Sequence, residues 1–246
     1  MAIVKTNAIP IKISEYSETS IIASFLTRNF GLVRAIFKGA RRKAKAYECS
    51  MDLLLPGELV FYARNSGLNI IKEYAPKKTH TALRYNLDRY RSAMACLELI
   101  RVTAVEGEES RRLFDLFSNA LDACSEGEHP WSAAYSFILS ALMEEGFLPA
   151  LQNCSICGKT EFPSPGKART ALSFTNGGVL CINCGKGSRV EGWLSGTALD
   201  TLKRFLTLSP IKASSLKLDP QTNIEIRGFL KRWCEFAFEL RLRMLN

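Results

Sequence analysis

No apolar run in this sequence approaches the roughly 18 residues needed to cross a bilayer. Even Leu53 to Leu55 and Ala141 to Met143 are soon broken, by Pro56 and Glu144. Histidine is almost missing, with His80 and His129 the only two, so few imidazoles are on hand as general bases. The common catalytic signatures are missing too. Gly158-Lys159-Thr160 has Asn153 where a phosphate loop needs its first glycine, and Gly166-Lys167-Ala168 and Gly185-Lys186-Gly187 lack the Ser or Thr, so none of the three is a phosphate loop. There is no His-Glu-x-x-His, and in Gly192-Trp193-Leu194-Ser195-Gly196 the serine comes one place late for a nucleophile elbow. These absences point to a binding protein rather than an enzyme. Met1 to Pro10 lacks the basic start and long apolar stretch of a secretory signal, so the expected location is cytoplasmic. Internal repeats and low-complexity tracts are also absent.

What the chain does have is positive charge, unevenly spread. The formal net charge of +9 resolves into +7 over residues 1–78, −5 over 79–152 and +7 over 153–246. Two basic segments around an acidic one assign polyanion binding to particular parts of the chain. With 47% hydrophobic residues among 246, two or three compact units can each bury a core.

The first 78 residues read as strands. Ile3 to Ile13, Ser20 to Arg28, Leu32 to Lys38, Glu58 to Arg64 and Leu68 to Tyr74 alternate or run apolar. Asn29-Phe30-Gly31 and Asn65-Ser66-Gly67 supply turn glycines. Five strands in so short a span predict a small barrel, an OB-fold or an SH3-like one. After Lys78 the period becomes helical, with helices expected at about 80–104, 109–124 and 130–145, then 195–207 and 221–244. The expected apolar faces are Leu83, Leu87, Tyr90, Met94 and Leu97 on the first helix. On the last they are Ile224, Phe229, Trp233, Phe236 and Leu240. The fold class is therefore α+β and multidomain: a barrel domain over 1–78 and a helical domain over 79–246, with a cysteine module inserted at about 150–190.

That module is the sharpest motif. Cys154-Ser155-Ile156-Cys157 and Cys181-Ile182-Asn183-Cys184 are two Cys-x-x-Cys pairs, each followed by glycine, Gly158 and Gly185. The spacing suits two knuckles closing on one tetrahedral zinc ion. A redox dithiol needs only one such pair and no glycine after it. Four thiolates leave no open coordination position, so the expected zinc is structural. Ala171 to Phe174 and Val179-Leu180, around Thr175-Asn176-Gly177-Gly178, read as the hairpin delivering the second pair. Cys49, Cys96, Cys124 and Cys234 read as buried apolar residues, and both histidines as surface or capping residues.

A second motif lies at the end of the third strand, where Lys38, Arg41, Arg42, Lys43 and Lys45 put five cations in eight residues. Strand alternation places Arg34 and Lys38 on one face with Ile36, against Val33, Ala35 and Phe37 on the other. These six cations form the candidate nucleic-acid site, with Phe25, Phe30 and Tyr47 near enough in sequence to stack on bases.

Tyr16-Ser17-Glu18-Thr19-Ser20, Leu26-Thr27, Gly31-Leu32-Val33-Arg34 and Lys38-Gly39-Ala40-Arg41-Arg42 resemble the amino-terminal signature of the bacterial RecO family of DNA repair proteins. Gly146-Phe147-Leu148-Pro149 before the first knuckle is similar to that family's entry into its zinc motif. The resemblance implies an OB-fold, a helical domain and an inserted zinc ribbon. It also implies a nucleoid-associated recombination mediator that binds single- and double-stranded DNA and anneals complementary strands. Its implied partners are RecR, the single-strand-binding protein and, further along, RecF and RecA, with RecA loaded onto coated single strands. An RNA-binding protein of the transcription or translation apparatus is the other reading. A DNA ligase is disfavoured, because no Lys-x-Asp-Gly is present.

Overall fold

The structure, a computed structural model, describes residues 2–40, 51–107, 111–162, 169–239, 241 and 245. The chain divides into two compact units, residues 1–125 and 126–246.

In the first unit, β1 (Ala2–Glu15), β2 (Ile21–Thr27), β3 (Gly31–Phe37), β4 (Gly57–Ala63) and β5 (Asn69–Pro76) close a barrel in the order β1-β2-β3-β5-β4. All neighbours are antiparallel except β3 and β5, which run parallel at Ala35↔Asn69 and Ile36↔Ile70. This is the topology of the OB-fold, not of an SH3-like barrel. Gly31 and Gly67 take positive φ, as the turn sequences predict. Alternation fills the interior with Ala8, Ala23, Phe25, Val33, Ala35, Phe37, Leu59, Phe61, Ile71 and Tyr74.

Ile9 and Leu26 sit opposite each other on the other face of the β1–β2 pair, yet both are fully buried. Helices cover part of the barrel's outside. α1 (Thr81–Tyr85), α2 (Leu87–Thr103) and α3 (Arg111–Glu126) follow the barrel, and α2 packs on β1. A bulge at Ile11, where the register slips between Pro10 and Lys12, frees a carbonyl that accepts from Arg101 Nε at 2.6 Å. Arg28, just past β2, clamps Asp115 of α3 with two parallel bonds of 2.9 and 3.0 Å.

The single helix expected at 80–104 is interrupted. Asn86 is extended, ending α1, and its side chain accepts from Arg89 N to cap α2. The break turns Leu87 and Tyr90 outward, so the expected apolar face keeps only Leu83 and Leu97 fully buried, with Met94 partly so. His80 is a second correction, because it is buried and its ring does not cap α1. Nδ1 lies 3.0 Å from the Leu54 carbonyl and Nε2 lies 2.9 Å from Asp122 Oδ1. Lys78 donates to the other Asp122 oxygen at 2.5 Å.

Burial pushes the Asp122 carboxyl up, but hydrogen bonds from His80 and Lys78 outweigh it and hold the group below the ordinary aspartate range. A depressed carboxylate adds stability above its unfolded pKa and loses it as pH falls through the folded one. Asp122→Ala is expected to cost about 1–3 kcal/mol near neutral pH. The deficit should shrink in acid, as checked by urea unfolding at both pH values. A deficit that did not change with pH would show that the carboxylate's charge is not its source.

In the second unit, α4 (Pro130–Glu144) is apolar on nearly all sides and is wrapped by α6 (Gly196–Phe205), α7 (Pro210–Ala213) and α8 (Pro220–Ala237). Trp131, Tyr135, Ile138 and Leu142 are all buried, as their spacing predicts. The face of α8 is rotated from expectation. Ile226, Phe229, Leu230 and Trp233 are buried, whereas Ile224 and Phe236 are exposed, and Leu240 lies outside the described residues. A small sheet in the order β7-β6-β8 contains β6 (Arg169–Ser173), β7 (Gly178–Leu180) and β8 (Gly192–Ser195), with α5 (Ile182–Lys186) after β7. Glu225 of α8 ties the sheet down, accepting from Ser195 N at 3.1 Å, from Ser195 Oγ at 2.5 Å and from Arg169.

Candidate metal centre and nucleic-acid face

The four cysteines converge. Cys154 and Cys157 lie on a turn, Cys181 follows β7 at the N-cap position of α5, and Cys184 sits in α5. Their sulfurs all lie within 4.8 Å of one another. Two sulfurs on one tetrahedral ion at about 2.3 Å stand about 3.8 Å apart, and Cys157 Sγ and Cys181 Sγ are 3.6 Å apart. The donor set and its spacing fit a thiolate-bound metal ion.

The knuckles are built by backbone. Gly158 N donates to Cys154 O and Gly185 N to Cys181 O, each at 2.9 Å. The glycine amides therefore close the turn of each knuckle. The amides that do reach sulfur belong to the cysteines and their neighbours. For Cys154, burial opposes the thiolate, but N–H groups of Cys157, Cys181 and Ile156 outweigh it and bring the thiol down to about 6. The Cys184 amide likewise lowers the Cys181 thiol. Cys184, hydrogen-bonded to Cys181 and Cys157, is pushed up to about 12. Only Gly158 has positive φ; Gly185 is helical, and a Cβ there would lie 3.3 Å from Ala171 Cβ. The hairpin is as expected, with Ala171↔Leu180 in register and Gly177 at φ +80°. Ser155 N donates to Val179 O at 2.9 Å, which docks the first knuckle on β7.

The other cysteines divide as their contexts suggest: Cys96, Cys124 and Cys234 are buried, and Cys49 lies outside the described residues.

On the barrel, Arg34 on the outer side of β3 and Lys38 just past the strand's end are both exposed, whereas Val33, Ala35 and Phe37 point in. No ion-pair partner for either cation occurs among the described residues. Asn69 Nδ2 donates to the Arg34 carbonyl at 3.1 Å, fixing β3 against the start of β5. Arg41, Arg42, Lys43 and Lys45, with Tyr47, lie outside the described residues. Both flanks of that segment belong to the barrel: Ala40 is buried in its core and Met51 packs against it. Phe25 is fully buried inside the barrel and cannot stack on a base. Phe30 is partly exposed and meets Phe61 edge-on at 6.2 Å.

Sequence reading missed the residues that complete this face. Ser24 lies opposite Arg34, Ile22 opposite Ile36, and Tyr62 opposite Ile70, all partly exposed. The Asn29-Phe30-Gly31 turn fixes the β2–β3 register, so counting back from it would have found Ser24 and Ile22.

A closed OB barrel followed by a helical unit with a four-cysteine centre defines the class of protein. The model for the amino-terminal region of recombination protein O matches residues 1–80, and the model for its carboxyl-terminal region matches residues 84–245. The chain belongs to the RecO family of DNA repair and recombination proteins. Among its relatives, the DNA repair protein RecO of Rhodopirellula baltica is 27% identical over 86% of this chain and 78% of its own. That of Thermoanaerobacter sp. strain X514 is 27% identical over 97% of this chain and 96% of its own. That of Moorella thermoacetica is 25% identical over 97% and 88%.

Proposed function

We propose that the chain is a DNA-binding recombination mediator without a catalytic step of its own. Its barrel domain, residues 1–78, grips single- and double-stranded DNA through Arg34, Lys38 and the cations Arg41, Arg42, Lys43 and Lys45. The helical domain, residues 79–246, holds one structural zinc ion on Cys154, Cys157, Cys181 and Cys184. The observation that carries the reading is the outer face of β2 and β3. There, and in the turn just past β3, two cations without carboxylate partners among the described residues, Arg34 and Lys38, accompany the half-buried Ile22, Ser24 and Ile36. On an OB barrel this is the usual face for a nucleic-acid strand.

Annealing follows from charge: two backbones repel until cations replace their counterions, and no nucleotide hydrolysis is needed. In that role the protein would work with RecR and the single-strand-binding protein, and in concert with RecF would promote RecA loading. The setting would be the cytoplasm, at the nucleoid.

The test is an ATP-free strand-annealing assay with a salt titration of single-strand affinity. The paired substitutions Arg34→Ala and Lys38→Ala are expected to lower affinity and to flatten the slope of log K against log salt by about 0.7 per lost contact. Arg41→Ala, Arg42→Ala and Lys43→Ala together should flatten it further without altering the thermal melt. Affinity that ignored salt would end the phosphate-contact reading, and preference for RNA in direct competition would favour an RNA-binding role.

A further inference from the structure

The four-cysteine module has an exposed groove that the barrel reading does not use. Trp193 of β8 stands opposite Ala171, which stands opposite Leu180 of β7, so the three side chains share one face of the sheet. Their strip ends at α5, with Ile182 and Lys186, and the space between is a cavity of about 320 Å³. Two of its lining residues are small, Ala171 and Gly185, and they lie close together, a Cβ on Gly185 falling 3.3 Å from Ala171 Cβ.

Trp193 is 52% exposed, whereas Trp131 and Trp233, the other two tryptophans, are 7% and 4% exposed. Trp193 therefore forms an open wall of the groove. Its rim is cationic. Arg169 stands at one end, held by Glu225 and by donation to the Trp193 carbonyl at 3.0 Å. Lys186 stands at the other and has no ion-pair partner among the described residues. Among the described residues no carboxylate lines the groove. A flat aromatic wall over a floor of small side chains admits a thin planar group, and the free ammonium beside it favours an anion attached to that group.

We propose that this groove binds one unpaired base of a single-stranded nucleic acid, with Trp193 stacked on the base and Lys186 on the adjoining phosphate. The choice of polymer rests on the function proposed above; the place of binding does not.

With its two other indoles buried, the full-length chain carries a built-in reporter. Tryptophan emission should be quenched by a short oligodeoxythymidylate, and far less by an abasic strand of equal length and charge. Trp193→Ala should weaken binding of a labelled oligonucleotide, read by anisotropy, by roughly ten- to a hundredfold, and Trp193→Phe should retain most of it. Lys186→Ala should reduce the salt slope by about 0.7. Far-UV circular dichroism and metal content check that each variant is folded.

Equal quenching by the abasic strand would overturn the proposal, as would quenching only by an acidic peptide, which would make the groove a protein-docking site. Normal binding by Trp193→Ala together with loss in the Arg34→Ala, Lys38→Ala variant would overturn it while leaving the barrel reading intact. If the wild-type chain bound no oligonucleotide at all, both would fall.

Discussion

Cys181→Ser is expected to abolish metal retention and to melt the cysteine module while the core around α4 stays folded. A structural zinc on four thiolates contributes apparent binding free energies of about 10–16 kcal/mol in small domains. Leu172, Val179 and Leu194 bury the other face of the sheet, but around the sulfurs there is little else to hold the module. Its own apolar cluster is Cys154, Ala171, Leu180 and Cys181, with Phe162, Cys184 and Val190 at the margin, so the ligands form much of their own core. Elemental analysis should find one zinc per wild-type chain and none in the variant. A chelator should reproduce the variant's loss of near-ultraviolet circular dichroism in the wild type, and added zinc should reverse it. Protons compete for the thiolates, so affinity should fall as pH is lowered. A fully folded, metal-free chain whose cysteines form and break disulfides would sink the zinc reading and favour redox chemistry.

Gly178→Ala should be nearly as damaging, for a backbone reason. A Cβ at Gly178 would lie 2.3 Å from the Ala150 carbonyl oxygen, 2.7 Å from its nitrogen and 2.9 Å from its Cα. None of these atoms is a flexible side-chain end. Ala150 is itself fixed, donating to Gly177 O and accepting from Val179 N, both at 2.9 Å. Gly178 also has φ +155°, where side chains are rarely found. The strand that leads to Cys181 would have to leave its neighbour, at a cost of about 4 kcal/mol or more. Gly177→Ala is the control: its φ is +80° but nothing lies within 4 Å of a new Cβ, so only the left-handed backbone penalty of about 1–2 kcal/mol applies. Chemical denaturation followed through metal release should rank the two variants in that order, and equal effects would show that contact with Ala150 is not what Gly178 serves.

The parts legible in the sequence were those with local causes. Turn glycines and alternation located five strands to within a few residues, and the paired knuckles announced their own convergence. What stayed hidden depends on distant partners. Nothing beside Arg28 signals Asp115, and nothing beside His80 signals Asp122, since such pairs exist only once helices lie on the barrel. The outward turn of Leu87 and Tyr90 follows from one residue, Asn86, whose cap outweighs a continuous apolar period. Trp193 was visible only as part of a failed serine motif. Its exposure needs the register of β8 on β6, and no turn sequence sets that register.

β1 uses both of its edges. Ala2 to Ala8 pairs with β4 and Ala8 to Glu15 with β2, so Ala8 meets Gly57 on one side and Thr27 on the other. The β1–β2–β3 meander can assemble from neighbours as soon as it is made, but the first half of β1 has no partner until the chain reaches Ala63. Contacts between sequence-distant strands form late because the intervening loop must first be closed. While the ribosome makes the stretch containing Arg41 to Lys45, the half-built sheet has open edges on both sides, at β1 and at β3. Ring closure, rather than strand formation, is therefore the step at which this domain is most exposed to mispairing with another copy of itself.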